Sequence, residues 1–562
     1  MRATKRYSCD FETITDPNDA RVWAWIAIDI DMHSTIIIDN SIESFFKWLN
    51  NGESKTCYFH NLKFDGSYIL DHALKHGFTV NPDSYHLQPM QLSTLISDKG
   101  MFYTMMIKFD HHFVRFVDSL KILPYSVDAI AKGWKLPQQK LKIDYDAYRA
   151  PGHELTPEER QYIINDAMIV AKALKILFND GYNKITAGSN AFGSYVKNSG
   201  GKKSFRRVFP PPENDAYIRK AYKGGFTYVN PSYQDQIIGA GRVYDVNSLY
   251  PFAMHSPNAY PYGEAVYYTG EYEYDPKYPL YVQTFYCDFK LKPGHLPTLQ
   301  RKNTPGYIPT QYLTESISDE YPITLCSIDL QLFREHYDIE NYRPVDGYKY
   351  KSRVGMFDEY IDQWYETKRQ SKEEGNYAKY QLSKLFLNSF YGKFATNPHV
   401  GSMIPEITED GILNYKAGAA EEKTPIYIAV GVFCTAYARD KTIRAAQSCY
   451  DRFLYADTDS LHVLGDEPVP GLDVDDFKLG AWKLEDHFTQ AKYLRAKLYM
   501  ENMIQPDGST KWTIKGAGMT DAIKSQITLD NFHPGATFDG KLTQKMVKGG
   551  MILDKTTFTI LK

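Results

Sequence analysis

The sequence predicts a multidomain α/β protein, and three observations support this prediction. The chain has 562 residues, which corresponds to about four domains of ordinary size. Its 43% hydrophobic and 24% charged residues are typical of a folded protein rather than of a disordered or collagen-like chain. In the N-terminal part, strand-like segments alternate with helix-like ones, which is the pattern of an α/β unit.

The N-terminal elements follow from hydrophobic patterning. Strands are predicted at residues 6–10, 22–30 and 56–59, and helices at residues 41–49 and 65–76.

A further helix is predicted to begin at Thr156. Thr is a good N-cap, Pro157 fits the first turn, and Glu159 in the third position completes a capping box. This helix is expected to run towards Phe178, and the first unit is expected to end near residues 181–189.

The rest of the chain divides into longer segments. Residues 210–212, three prolines, predict a rigid connector, and residues 260–350, rich in Tyr, Pro and Gly with weak periodicity, predict an irregular insertion. Residues 357–394 are helical by pattern with an interruption near Gly375. Residues 397–425 predict a loop or hairpin, followed by a buried strand or helix at 426–438.

Cysteine, charge and hydropathy exclude several classes. The six cysteines form no close pair, which argues against a thiolate zinc site and a disulfide framework. The longest weakly polar run, residues 424–438, is shorter than the roughly 20 residues of a membrane span, and the N-terminus has no secretory core. The net charge is only −3, but strips at 202–223 (+5) and 541–562 (+4) suit a polyanionic partner.

Acidic residues of the N-terminal part form one predicted cluster. Asp10 and Glu12 alternate along a strand and therefore lie on one face. Asp65 follows a strand at a helix start, and Tyr162 and Asp166 share one face of a later helix. Four converging carboxylates could bind two divalent cations and activate water for attack on a phosphodiester. Each acid alone is more often a surface group, so the prediction depends on the set.

A second cluster is predicted from the C-terminal half. Asp245 ends a short strand, and Asp457 and Asp459 lie at the turn of a predicted hairpin. Between them, Lys384, Asn388 and Tyr391 share one face of a helix. A cation, an amide and a flat ring suit a nucleoside triphosphate.

In type and order, these motifs resemble those of the family B DNA polymerases, and specifically the protein-primed branch of phi29-like phage replicases. The resemblance covers essentially the whole chain. It implies a ribonuclease-H-like 3′–5′ exonuclease domain followed by a right-hand polymerase with two insertions. The implied boundaries are exonuclease 1–187, palm 188–256 and 428–523, terminal-protein region one 257–354, fingers 355–395, terminal-protein region two 396–427 and thumb 524–562.

For the exonuclease domain, the resemblance assigns roles to two groups of residues. Asp10, Glu12, Asp65 and Asp166 match the metal-binding acids, Tyr162 matches the residue that orients the attacking water, and Lys140 matches an auxiliary lysine, with Lys142 as an alternative. The residues matching those that grip the single-stranded 3′ end are Thr13, His60, Asn61 and Phe64.

For the polymerase, the resemblance implies metal ligation by Asp245, Asp459 and the Val246 carbonyl, with Asp457 as the third essential acid. Tyr250 matches the residue that excludes a ribose 2′-hydroxyl. The implied nucleotide pocket contains Lys384, Asn388, Tyr391 and either Lys368 or Lys372. The implied DNA contacts are Lys497 and Tyr499 at the primer terminus and the linker motif with Tyr222, Gly224 and Gly225.

The implied function is DNA-directed DNA polymerase with 3′–5′ proofreading, which replicates a viral genome by protein-primed, processive, strand-displacing synthesis. Two Mg²⁺ ions per active site are implied, with Mn²⁺ as a substitute. The implied partners are primer-template DNA, single-stranded DNA, deoxynucleoside triphosphates and a terminal protein, with no membrane. A monomer in the cytoplasm of an infected bacterial host is expected. The complete acid sets count against two alternatives, a repair nuclease with a DNA clamp and a non-enzymatic scaffold.

Overall fold

The computed structural model of the chain describes residues 4–145, 147–300, 311–316 and 321–561.

The first eight strands form one mixed sheet. The strands of this first sheet are β1 (Lys5–Thr13), β2 (Val22–Asp29), β3 (Ile36–Asp39), β4 (Lys55–Phe59), β5 (Thr79–Val80), β6 (Gln91–Ile96), β7 (Phe102–Lys108) and β8 (Phe113–Asp118). Their order is β3-β2-β1-β4-β8-β7-β6-β5, and β4 pairs in parallel with both β1 and β8.

Four helices accompany the first sheet: α1 (Ile42–Leu49), α2 (Leu62–Lys75), α3 (Val127–Gly133) and α4 (Pro157–Asn179). The predicted strands and helices of this unit are confirmed. Ser41 caps α1, and the capping box of Thr156 and Glu159 starts α4. Helix α2 begins three residues before the predicted start, so that Asp65 lies in its first turn.

Short elements connect the first sheet to the centre of the molecule. They are α5 (Ala187–Asn198), α6 (Gly201–Val208), α7 (Asp215–Ile218), β9 (Thr227–Val229), β10 (Gly241–Val246) and α8 (Leu249–Met254). Strand β10 ends one residue after Asp245, as the sequence predicts.

The inserted region is more regular than predicted. It contains β11 (Ala259–Thr269), β12 (Leu280–Leu291), β13 (Ile323–Cys326), α9 (Ser327–His336) and β14 (Tyr337–Val354). The strands form a sheet in the order β11-β14-β12-β13. The expectation of an irregular region is wrong. Tyrosine is a common residue in strands, and burial does not alternate regularly along β12 and β14, so the period of two residues is weak in the sequence. Residues 301–310 and 317–320 of this predicted insertion lie outside the described residues.

Two helices and two small hairpin ladders follow. The helices are α10 (Asp358–Glu373) and α11 (Tyr377–Phe394), and Gly375 separates them with φ of 71°, which confirms the predicted interruption. The predicted excursion consists of β15 (His399–Val400), β16 (Met403–Ile407), β17 (Leu413–Ala417) and β18 (Glu421–Glu422). The buried segment after it is the helix α12 (Ile428–Ser448).

The last strands build a second large sheet and a terminal hairpin. They are β19 (Phe453–Asp457), β20 (Ser460–Leu464), β21 (Trp482–Arg495), β22 (Leu498–Ile504) and β23 (Thr510–Gly516), then α13 (Asp521–Lys524), β24 (Thr537–Val547) and β25 (Gly550–Thr559). The second sheet has the order β23-β22-β21-β10-β20-β19-β9. Among the described residues, no helix is both long and apolar enough to cross a bilayer.

Two candidate active sites

A cleft of about 920 Å³ lies between the first sheet and the β24–β25 hairpin. Strand β1, the start of α2 and the middle of α4 supply its floor, and the loop before α4 supplies one side. The hairpin supplies the opposite wall through Leu542, Gln544, Ile552, Leu553, Asp554 and Lys555. A segment near the C-terminus therefore completes a site on the N-terminal sheet.

The first predicted acid cluster lines this cleft. Asp10, Glu12, Asp65 and Asp166 all face it, as does Tyr162. Asn61 adopts the left-handed conformation (φ 81°) between β4 and α2, which turns the chain so that Asp65 points back to β1. There Asp65 Oδ1 accepts a hydrogen bond from the Phe11 N–H at 3.2 Å.

A lysine and a second tyrosine complete the first site. Lys140 Nζ lies 2.6 Å from Asp166 Oδ2, whereas Lys142 is exposed. The Tyr145 hydroxyl lies 2.5 Å from that of Tyr162. The loop before α4 thus brings one cation and one hydroxyl to the acid cluster.

Three carboxylates of the first site, Asp10, Glu12 and Asp65, have raised pKa values. Burial raises the pKa of Asp10 to about 7, and the charge of Asp166 adds to this effect. Burial also raises the pKa of Glu12, followed by the charges of Asp10 and Asp166. The pKa of Asp65 rises for the same reasons, burial first and then Asp10. A bound cation would offset both the burial of these carboxylates and the repulsion between them.

The residues predicted to grip single-stranded DNA also line the cleft. Thr13, Asn61 and Phe64 face it, and the half-buried Phe64 ring lies 5.8 Å from that of Tyr68. His60 faces it too, but its ring nitrogens contact the Tyr125 carbonyl (2.7 Å) and Ser119 Oγ (3.1 Å). We therefore expect His60 to support the wall more than to bind DNA.

The second acid cluster lies at the strand ends of the second sheet. Asp245 of β10 pairs in register with Ser460 of β20, and Asp457 of β19 pairs with the same residue. Thr458 takes the left-handed conformation (φ 64°) in the turn between β19 and β20. The Val246 N–H donates to the Asp459 carbonyl at 2.8 Å, which ties β10 to this turn.

The pKa values of Asp245 and Asp459 in this cluster are also raised. Burial raises the pKa of Asp245 to about 7, and the charges of Asp459 and Glu485 add to the shift. Burial is also the main cause of the raised pKa of Asp459. The charge of Lys384 offsets part of this rise in the pKa of both acids.

Helix α11 presents the predicted polar face next to these acids. Lys384 and Asn388 are exposed, while the rest of this part of the helix is mostly buried. The Tyr391 ring stacks on that of Tyr250 with centroids 4.0 Å apart. Of the two alternative lysines, Lys368 reaches Ser248 Oγ at 3.4 Å and lies near Asp245, whereas Lys372 is exposed.

The predicted linker motif passes directly over the acid turn. A side chain at Gly225 would place its Cβ 2.6 Å from Thr458 Oγ1, whereas Gly224 faces open space. Buried Arg439 donates to the carbonyls of Lys223 (2.9 Å) and Gly224 (2.6 Å), which fixes this segment. Half-buried Tyr222 precedes it.

Of the predicted primer-terminus residues, Lys497 contacts the third acid, and Tyr499 lies beside its neighbour Tyr455. Lys497 Nζ lies 3.0 Å from Asp457 Oδ1, and Lys497 has the left-handed conformation (φ 61°) in the β21–β22 hairpin. The Tyr499 ring lies 5.0 Å from that of Tyr455. The structure thus brings the second set of predicted residues together around the end of one sheet.

Known proteins resemble this chain over its whole length. A family described as DNA polymerase type B, organellar and viral, matches residues 49–153 and 148–468. The DNA polymerase of Bacillus phage Nf is 43% identical, and that of Bacillus phage phi29 is 42% identical, each over 99% of both chains. The polymerase of Streptococcus phage Cp-1 is 34% identical over 99% of this chain and 98% of its own.

Solved structures agree with these relatives. The phi29 DNA polymerase complexed with primer-template DNA and incoming nucleotides matches with a TM-score of 0.93 and 41% identity, covering 99% of this chain and 100% of that one. The chain belongs to the phi29-like, protein-primed branch of the family B DNA polymerases. It is a DNA-directed DNA polymerase, and its fold is the multidomain exonuclease and right-hand architecture of this branch.

The oxygen atoms of the first acid cluster are chemically compatible with a hard cation, but they are not a preformed metal site. Among the described residues, no three His, Cys, Asp or Glu side chains are already arranged to hold a metal. Lys140 donates to one oxygen of Asp166, and the Phe11 N–H donates to one oxygen of Asp65. Asp166 Oδ1, however, is buried and has no hydrogen-bond partner within the described part of the chain. An unpartnered oxygen among acids with raised pKa values fits a hard cation such as Mg²⁺.

Sequence reasoning missed some residues of the polymerase sites. Tyr145 contacts Tyr162, yet a tyrosine in an irregular loop gives no periodic signal. Gln300 Nε2 donates to the Gly225 carbonyl at 3.3 Å, and the Tyr312 hydroxyl accepts from the Thr227 N–H. These last two residues reach the linker from the inserted region, and only the tertiary fold shows this contact.

Proposed function

We propose that this polymerase replicates a phage genome by protein-primed, strand-displacing synthesis and proofreads its product. Nucleotidyl transfer is assigned to the second-sheet cluster and 3′–5′ trimming to the cleft on the first sheet. The observation that carries the proposal is the presence of two separate carboxylate clusters, each with its own lysine: Lys140 beside Asp166 and Lys497 beside Asp457.

In the transfer reaction, Asp245, Asp459 and the Val246 carbonyl would hold two Mg²⁺ ions, or Mn²⁺ as a substitute. These ions would lower the pKa of the primer 3′-hydroxyl and neutralise the triphosphate. Lys384 and Lys368 would bind phosphate oxygens, while Tyr391 and Tyr250 would present a flat surface to base and sugar. Asp457 and Lys497 would position the primer end, so that catalysis depends on orientation and charge rather than on a protein nucleophile.

In the trimming reaction, Asp10, Glu12, Asp65 and Asp166 would hold two ions that activate water. Tyr162, held by Tyr145, would orient that water. A mismatched end unpairs at low cost, and its bases would rest on Phe64 within the cleft.

The excursion at 396–427 supports the strand-displacing part of the proposal. Leu413 joins the core of the first sheet, and the Tyr415 ring lies 5.8 Å from that of Phe102. Residue Ser402 also pairs with Ser97 in an isolated bridge. The excursion therefore spans from the end of α11 to the first sheet, an arrangement that would surround DNA and part a downstream duplex.

The proposed partners follow from the same reasoning. Solved phi29 polymerase complexes contain primer-template DNA, single-stranded DNA and incoming nucleotides, and we propose the same ligands here. A terminal protein would contact the insertion at 257–354. We propose that the polymerase acts as a monomer in the cytoplasm of the infected host.

The decisive experiment separates the two sites. Asp459→Ala is expected to abolish nucleotide addition and retain trimming of single-stranded DNA, while Asp166→Ala is expected to do the reverse. Loss of both activities from either change would reject two separate sites.

Protein priming is tested by incubation with a candidate terminal protein, Mg²⁺ and labelled dATP. A covalent protein–dAMP product is expected, and its absence with every candidate would reject priming.

A further inference from the structure

The second sheet contains a buried polar cluster that the proposed chemistry does not use. It consists of Glu501 on β22, His462 on β20 and Tyr493 on β21, whose residues are 3%, 2% and 0% exposed. Glu501 Oε1 lies 2.6 Å from His462 Nδ1 and accepts a hydrogen bond from the Tyr493 hydroxyl, also at 2.6 Å. One carboxylate oxygen thus joins three strands of the sheet.

Such a cluster is expensive to bury. A carboxylate removed from water loses much of its hydration free energy, and an apolar residue of similar size commonly stabilises a fold as well or better. The position at the centre of the sheet therefore calls for another explanation than stability alone.

Tyr455 connects the cluster to the active site. Its ring is packed among those of His462 (5.1 Å), Tyr493 (5.6 Å) and Tyr499 (5.0 Å). Its hydroxyl donates to Asp457 Oδ2 at 3.2 Å and accepts the Lys497 N–H at 3.0 Å. The packing around the ring fixes where this hydroxyl lies.

A second link runs through the other ring nitrogen of His462. Its Nε2 lies 3.4 Å from Ser460 Oγ, which in turn donates to the Asp457 carbonyl at 3.5 Å. Both links end at Asp457, and the first also reaches the left-handed Lys497 that turns its ammonium to the same acid.

We propose that Glu501, His462 and Tyr493 are positioning residues for the primer terminus, acting through Tyr455 on Asp457 and Lys497. The proposal rests on the proposed function of Asp457 and Lys497. The cluster connects β20 to the β21–β22 hairpin through side chains, across the intervening strand β10, so that the acid turn and this hairpin keep a fixed separation when DNA binds.

The test compares variants of Glu501 by their steady-state kinetics of primer extension. Glu501→Met leaves His462 and Tyr493 without their partner, so the KM for primer-template is expected to rise roughly tenfold, more than kcat falls. Glu501→Gln keeps an oxygen acceptor and is expected to remain close to the wild type. Tyr493→Phe removes one bond and is expected to give a smaller rise, which keeps the test decisive if Glu501→Met fails to fold.

A matched control separates positioning from general loosening of the sheet. Asn502 Nδ2 donates to Thr489 Oγ1 at 3.0 Å between the same two strands, β22 and β21, without a link to Asp457. Asn502→Ala is expected to leave the KM for primer-template unchanged. An equal rise in Asn502→Ala, or no rise in both Glu501→Met and Tyr493→Phe, would overturn the proposal.

A double-variant cycle tests the route through Tyr455. Tyr455→Phe keeps the ring and removes the hydroxyl, and its effect is expected not to add to that of Glu501→Met. Full additivity would show that the cluster does not act through this hydroxyl. Absence of primer extension by the wild type would instead reject the proposed function itself.

Discussion

The two acid clusters use the same side chains in very different enclosures. The first lies in a cleft that is closed on one side by a hairpin from the far end of the chain. The second lies at the strand ends of an open sheet, beneath a glycine-containing segment and beside the exposed face of α11. Its partners come from neighbouring strands and from the helices α10 and α11.

This difference suggests how one chemistry can serve two purposes. A walled cleft has room for a single flexible strand, whereas open strand ends can receive a duplex and a free nucleotide. Under the proposed function, the surroundings of the carboxylates, more than the carboxylates themselves, select the DNA substrate of each site. Substitutions in each acid cluster and in its surroundings can separate the two contributions.

Replacing one acid of the second site should have the largest effect. Asp245→Asn is expected to lower nucleotide addition by about 10³-fold or more, because a neutral amide cannot balance the positive charge of the metal ions that Asp245 would hold. Trimming of single-stranded DNA should stay at the wild-type level, since the cleft keeps all its acids. Both rates are measured on labelled oligonucleotides, and a parallel loss of trimming would contradict the separation.

The lysine of the first site offers the reverse test. Lys140→Met removes the ammonium beside Asp166 and is expected to lower trimming by about 10²-fold, with normal nucleotide addition. Lys142→Met is the matched control, because Lys142 is exposed, and it should behave as the wild type. Equal effects of the two changes would mean that overall charge near the cleft, rather than the contact with Asp166, matters.

Local patterns in the sequence predict much of what forms each site. Alternation along β1, the capping box of α4 and the Asp-Thr-Asp turn between β19 and β20 each depend on a few neighbouring residues. The acid residues of both sites can therefore be assigned to their strands and helices from the amino-acid sequence alone. Lys140 and Lys142 remain equivalent at that level, because their difference arises from how a loop packs.

What the sequence does not predict depends on distant packing. The hairpin wall of the cleft joins residues near 550 to α2, as in the bond from the Tyr68 hydroxyl to the Met551 carbonyl. The regular sheet at 259–354 escapes prediction because its strands pair across long separations. Tyr145 escapes prediction because its role depends on meeting Tyr162 in space.

The excursion should matter for the open site when a duplex lies ahead. Replacement of residues 399–423 by a short Gly-Ser linker is expected to lower synthesis through duplex DNA by more than tenfold, since the link to the first sheet is lost. Extension on a bare single-stranded template should fall far less. A comparison of product lengths on gapped and open templates measures this, and equal losses would remove the argument for a ring around DNA.

The glycine above the acid turn provides a finer test of enclosure. Gly225→Ala forces a methyl group against Thr458, so the acid turn must shift, and nucleotide addition is expected to fall about tenfold. Gly224→Ala is the matched control, because its methyl group meets open space and should cost little. Both proteins should trim normally. If the two variants extended a primer equally well, the close approach of the linker to the acid turn would not contribute to nucleotide addition.

The smallest expected effect comes from loosening the wall of the cleft. Tyr68→Phe removes the hydroxyl that donates to the Met551 carbonyl at 2.7 Å and that also contacts the Thr13 side chain inside the cleft, a loss of about 1 kcal/mol from the contact between α2 and β25. Because the hairpin lines the cleft but not the acid turn of the second sheet, trimming should fall a few-fold while single-nucleotide addition is retained. Tyr415→Phe, which removes a buried hydroxyl without a hydrogen-bond partner among the described residues, serves as control. A larger loss of nucleotide addition than of trimming would show that the hairpin serves the open site more than the closed one.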